Sequence, residues 1–212
     1  MEKHLFKELD SGFLNPVYKN LKKFLNLKNI QNYFPIHESQ TDNSVFKSKY
    51  HILELLKNLN ENYENEKQKS PYLKRIFEAK VKEHNNMYEL NKEVFIKISP
   101  ILHVIHFITD NYDTKNCLLP DERTIYTQDY INNPNNEAYI DSFYSFLASK
   151  LTETGKAPCF PLFYGTFSAI AKEYKSDISE EYSLVKYNQD FQKNRDHVFN
   201  ITEIDIDMSD ED

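Results

Sequence analysis

The sequence predicts an α+β fold: a small antiparallel sheet packed on one long helix, with a helical N-terminal extension. Three observations predict it. Over residues 76–99 apolar and charged residues alternate in two runs separated by turn residues, the signature of a β-hairpin. Over residues 135–153 apolar positions recur at helical spacing between a recognisable start and stop. Before residue 60 the apolar residues fall into three short runs of helical period.

Those runs make residues 1–70 a helical extension and linker. Residues 2–9 set Leu5, Phe6 and Leu9 on one side, with Gly12 just past the end. Asn15-Pro16 starts a second helix, since asparagine caps well and proline fits a first turn; Val17, Leu21, Phe24 and Leu25 form its stripe. Residues 31–40, with Pro35 among them, read as loop. From about Ser44, Val45, Ile52, Leu55, Leu56 and Leu59 recur at helical spacing, and Tyr50 and Leu53 widen that face. Residues 60–70 are rich in Glu, Asn and Lys and read as a solvated linker.

Residues 71–200 form the α+β domain. Phe77, Ala79 and Val81 alternate with Glu78, Lys80 and Lys82; His84-Asn85-Asn86 turns the chain, and residues 88–99 return as the partner strand. In residues 93–102, Val94, Ile96 and Ile98 alternate with Phe95, Lys97 and Ser99, and Pro100 ends the ladder because it has no N–H to donate. An ammonium among apolar neighbours needs a partner or an exit to water. The plain reading of Lys97 is a lysine that snorkels along its stem. The functional reading is a lysine held by a helix carboxylate or a phosphate.

Ile101, Leu102, Ile105 and Ile108 suggest a short helix, and residues 111–133 a loop. Asn135 or Asn136 then caps the long helix, with Glu137 in its first turn, where a carboxylate complements the dipole. Ile140, Phe143, Tyr144, Leu147 and Leu151 are its expected apolar face, Lys150 stands in its last turn and Gly155 closes it. Residues 161–171 read as a strand or strand pair. From Lys172 the pattern breaks into charged segments, and residues 201–212 form an acidic tail that buries too little apolar surface to order itself.

Composition narrows the function. The net charge is −7 with no long basic block, which excludes nucleic-acid binding through a basic face. The two cysteines, Cys117 and Cys159, make neither a disulfide framework nor a zinc site, which suits a reducing, intracellular setting. No run of about 18 apolar residues points to a membrane. His103, His106 and Asp110 fall at i, i+3 and i+7, but no further ligand cluster joins them and no metal is expected. Cys159, between Pro158 and Phe160, reads as a small buried hydrophobe. Ser209, followed by Asp-Glu-Asp, has the surroundings of an acidophilic kinase site but stands in a solvated tail.

Hairpin, lysine-bearing strand, long helix, strand is also the chain order of a protein-kinase N-terminal lobe. Val94-Phe95-Ile96-Lys97 matches the Val-Ala-Ile-Lys signature at three of four positions. Three segments together resemble a protein kinase-like family of giant (nucleocytoplasmic large) DNA viruses: Phe95-Ile96-Lys97-Ile98-Ser99-Pro100-Ile101-Leu102, then Asn135-Asn136-Glu137-Ala138-Tyr139-Ile140-Asp141-Ser142-Phe143, then Phe163-Tyr164-Gly165-Thr166-Phe167. The resemblance covers roughly residues 90–200. It implies that Lys97 is the phosphate-contacting lysine and that a helix carboxylate orients it: Asp141 first, since it lies in the matching segment, and Glu137 second. The plain reading of Asp141 is an exposed helix acid. A viral relative would work in the host cytoplasm or the virion.

The departures carry equal weight. Phe95 replaces the alanine that roofs the adenine, and a phenyl ring fills much of the space a purine needs. No glycine lies between residues 13 and 154, so the glycine-rich phosphate loop is missing. Asn194-Arg195-Asp196 imitates a catalytic loop, but Asn200 follows the aspartate at four residues instead of five, and nothing like Asp-Phe-Gly comes after it. No catalytic residue is therefore expected in this chain. It reads as a fragment of a longer kinase-like protein or a stand-alone relic of the lobe, inactive alone, with ATP and Mg²⁺ belonging only to a longer parent. The alternative is a non-catalytic module that binds a protein partner.

Overall fold

The computed structural model describes residues 16–31, 48–59, 75–83, 86, 88–112, 118–120 and 129–203. The expected helix over residues 2–9, the linker over 60–70, His84, Asn85, Cys117 and the tail with Ser209 lie outside them. The fold is mixed α and β with small antiparallel sheets and several helices, in two units. One unit comprises Met1–Ile101 and Asn116–Lys175; the other comprises Leu102–Lys115 and Ser176–Asp212.

The first unit opens with helix α1 (Pro16–Leu25), as the Asn-Pro start and the Val17/Leu21 stripe require. Asn26 ends it at φ 53°, a left-handed position that asparagine tolerates. Strand β1 (Leu27–Gln31) follows; Asn29, at φ 52°, sits where its register with β5 (Ser168–Ala171) shifts, so that a bulge interrupts the two-stranded sheet.

The second sheet is a meander of β2 (Tyr50–Asn58), β3 (Ile76–Glu83) and β4 (Glu89–Phe95). The hairpin of β3 and β4 agrees with the alternation read from the sequence. Strand β2 is a correction, because helical spacing was expected there. The cause is visible in the register. Ile52, Leu55 and Asn58 oppose Val81, Ala79 and Phe77, and the register slips between Ile52 and Glu54 and again between Leu55 and Lys57. Each slip adds a residue, so the inward positions come every third residue and imitate a helix.

The core of this unit joins Val17 and Leu21 of α1 to Leu55, Phe77, Ala79, Val81 and Val94. The helix that buries the sheet is therefore α1, within the stretch expected to be an extension, and not the long helix α4 (Glu137–Glu153). That expected packing is corrected too. Helix α4 buries Ala138, Tyr139, Phe146 and Ser149 and is preceded by the short α3 (Asp129–Asn132), which lies inside the expected loop. Only Ser168–Ala171 of the expected 161–171 strand is extended in a ladder.

The second unit contains α2 (Val104–Ile108), α5 (Ser179–Val185) and α6 (Gln189–Asn194). Ile108, Val185 and Phe191 form its small core, the last two from within the charged segments that follow Lys172. Asn194, buried in it, donates from Nδ2 to the Ile108 carbonyl at 3.1 Å.

Candidate functional site around Lys97 and Asp141

Strand β4 ends at Phe95, and its last backbone bond in register is Ile96 N–H to the Arg75 carbonyl at 2.9 Å. Lys97 thus lies two residues past the strand, where residue 97 had been expected inside it. The alternation nevertheless persists: Val94 is buried, Ile96 half-buried, and Phe95 and Lys97 point the other way, exposed.

Asn136 sets the opposing wall. Its Oδ1 accepts from the Ala138 N–H at 3.0 Å, capping α4, while its Nδ2 donates to the Ile101 carbonyl at 2.8 Å. One side chain so starts the helix and fastens that start to the segment just past Pro100. Asp141 follows a little over one turn later. Its Oδ2 lies 2.7 Å from Lys97 Nζ and accepts from Ser99 Oγ at 3.2 Å. Lys97 and Asp141 are therefore in contact, while Glu137 is an exposed residue of the first helical turn. Ser99 had not been singled out. Its position two residues after Lys97, on the same side of an extended segment, was the available signal.

The pair is open to water, with the Lys97 side chain 60% and the Asp141 side chain 37% exposed. A salt bridge at that exposure contributes about 0–1 kcal/mol. Lys97 has three donors, so its amine can meet a second anion. Phe95, on the same side of the chain two residues earlier, is 56% exposed. A shallow hollow of about 500 Å³ is lined by His51, Ile52, Glu54, Lys80 and Glu89, and neither Lys97 nor Asp141 borders it.

Two further contacts hold α4 in place. Ser142 Oγ and Thr166 Oγ1 lie 3.3 Å apart. At the other end, Glu153 collects the Lys49 backbone N–H at 3.1 Å, Ser149 Oγ at 3.2 Å and Lys150 Nζ at 2.6 Å. Burial pushes the Glu153 carboxyl up, but the hydrogen bonds from Lys150, Lys49 and Ser149 outweigh it and hold the group below the usual glutamate value. Ser149 is fully buried because its Oγ also accepts the Phe163 N–H at 2.9 Å.

The burial of α4 differs from the expected face. Ala138, Tyr139, Phe146 and Ser149 are inside, whereas Tyr144, Leu147 and Leu151 are 67%, 42% and 40% exposed. The helix is apolar around most of its circumference, so hydrophobicity alone did not mark the inner face. Satisfied polar tips did: the Tyr139 hydroxyl donates to the Ile131 carbonyl at 2.7 Å.

The remaining candidates resolve individually. His103 and His106 have ring centroids 4.8 Å apart, while Asp110, at φ 60°, faces Lys193 at 3.9 Å. Among the described residues no three His, Cys, Asp or Glu side chains gather into a metal-binding group. Cys159 is exposed, not buried as expected. Asn194-Arg195-Asp196 closes α6, with Asp196 at φ 63°. Among the described residues no helix is long and apolar enough to cross a membrane. Compared with known proteins, the chain matches no family model, no curated protein and no solved structure.

Proposed function

We propose that the chain is a non-catalytic protein-interaction module. The observation that carries this reading is the outer face of α4, where Tyr144, Leu147 and Leu151 stand exposed at i, i+3 and i+7. Adjacent exposed apolar side chains on a well-anchored helix are characteristic of contact surfaces. Lys97, Ser99 and Asp141 then act as a joint between the sheet's exit and the helix, holding that face in place. The absence of a glycine loop and the exposed Phe95 argue against an enclosed nucleotide.

The test is a matched capture from extracts of the cells that express the chain. Wild type is compared with a Tyr144→Ser, Leu147→Ser, Leu151→Ser variant whose melting temperature stays within a few degrees. Proteins retained by wild type and lost by the variant support the reading, and identical retention overturns it.

A second reading rests on the 2.7 Å Lys97–Asp141 contact: a phosphate-holding lobe of a longer kinase-like protein. Under it, saturating Mg-ATP raises the melting temperature of the parent protein, by stabilisation of about 2.7 kcal/mol at a hundredfold excess over Kd. Lys97→Ala removes that shift. No shift in the parent eliminates this reading.

A further inference from the structure

A different face of the first unit carries a charge imbalance that the proposed function leaves unused. Residues 11–37 contain Lys19, Lys22, Lys23 and Lys28 and no Asp, Glu or Arg, in a chain whose net charge is −7. The remainder of the protein therefore stands at −11 (−7 − 4). The four lie within ten positions of the chain. Lys19, Lys22 and Lys23 lie at i, i+3 and i+4 on α1, on the side opposite the buried Val17 and Leu21, and all three are exposed. Lys28, also exposed, follows on β1. Lys172 joins them from the end of β5: its backbone N–H donates to the Asn26 carbonyl at 3.4 Å, and its side chain is exposed. Glu173 is the one acid next to these lysines in sequence.

Among the described residues none of the five lysines has an ion-pair partner, and Lys23 touches only the Phe24 ring, at 5.1 Å from its centroid. Lys22 and Lys23 in the last turn complement the helix dipole, but that role does not extend to Lys19, Lys28 or Lys172. The apolar side of α1 is spent on the sheet core, so the helix has no second face with which to enter a bilayer.

We propose that this lysine face binds a short carboxylate-rich peptide segment of a protein partner. Lysines are point charges on flexible stems, and the face contains no arginine fork for bidentate phosphate recognition. Screening confines its attraction to about 8 Å at physiological ionic strength, the scale of a few acidic residues.

The test uses the full chain and a fluorescein-labelled decapeptide of alternating Glu and Ser, followed by fluorescence polarisation. Binding at 50 mM NaCl that weakens steeply by 300 mM is expected. A Lys19→Gln, Lys22→Gln, Lys23→Gln variant with an unchanged melting temperature should bind about tenfold more weakly, the sum of three exposed charge contacts. Glu137→Gln, on α4, should leave binding unchanged. No binding at 50 mM NaCl, or equal binding by the triple variant, overturns the proposal. So does tighter binding of phosphatidylserine vesicles or duplex DNA than of the peptide.

Discussion

Lys97 and Lys150 each pair with a carboxylate of α4, and their surroundings give them different weights. The Lys97–Asp141 pair is largely in water, whereas the Glu153 side chain beside Lys150 is only 8% exposed and also accepts from Lys49 and Ser149. A double-mutant cycle of Lys97→Ala and Asp141→Ala should therefore give a coupling below about 1 kcal/mol by chemical denaturation. Glu153→Gln should cost more, about 2 kcal/mol at pH 7, because it weakens charged hydrogen bonds in a buried setting. The sign with pH follows from the depressed Glu153 value. Its stabilisation is complete above the ordinary value near 4.5 and fades as pH falls through the lower folded value. Denaturation midpoints measured between pH 3 and pH 7 should thus fall on the acid side in wild type, and less so in Glu153→Gln. The contact between Lys97 and Asp141 was legible from a lysine in an alternating segment and an acid at the right place on a capped helix. The Glu153 cluster was not, because a backbone N–H at residue 49 has no sequence signature.

At the scale of elements, caps and unbroken alternation were readable and bulges were not. Asn136 and Gly155 bracket α4, and Phe77, Ala79 and Val81 declare β3. Strand β2 deceived because two bulges convert its period of two into a period of three. Strand β4 shows another device. Among the described residues it pairs only with β3, and Lys92 stands opposite Ala79 on the inner side of the sheet, yet exposed. An inward-facing charge near a sheet edge discourages a second edge from pairing there. Lys92→Val should remove that protection, so light scattering of the variant should show concentration-dependent association that wild type lacks.

At the scale of the molecule, each unit has its own buried anchor, and these were only half visible beforehand. Phe77 is fully buried under α1, and Phe191 is fully buried among α2, α5 and α6. Phe77→Ala and Phe191→Ala should each cost about 3–5 kcal/mol. Hydrogen exchange should accelerate over β2, β3 and β4 in the first and over α5 and α6 in the second. The alternation of β3 announced Phe77, whereas Phe191 belongs to a helix of six residues, too short to display a period. Partners distant along the chain were the least legible. Leu27 of β1 aligns with Ala171 of β5, 144 positions away (171 − 27). At a synthesis rate of about 5–20 residues per second, β1 waits roughly 7–30 s on the ribosome before its mate is made. Translation speed, and any chaperone that shelters a lone strand meanwhile, therefore bear directly on the yield of native protein.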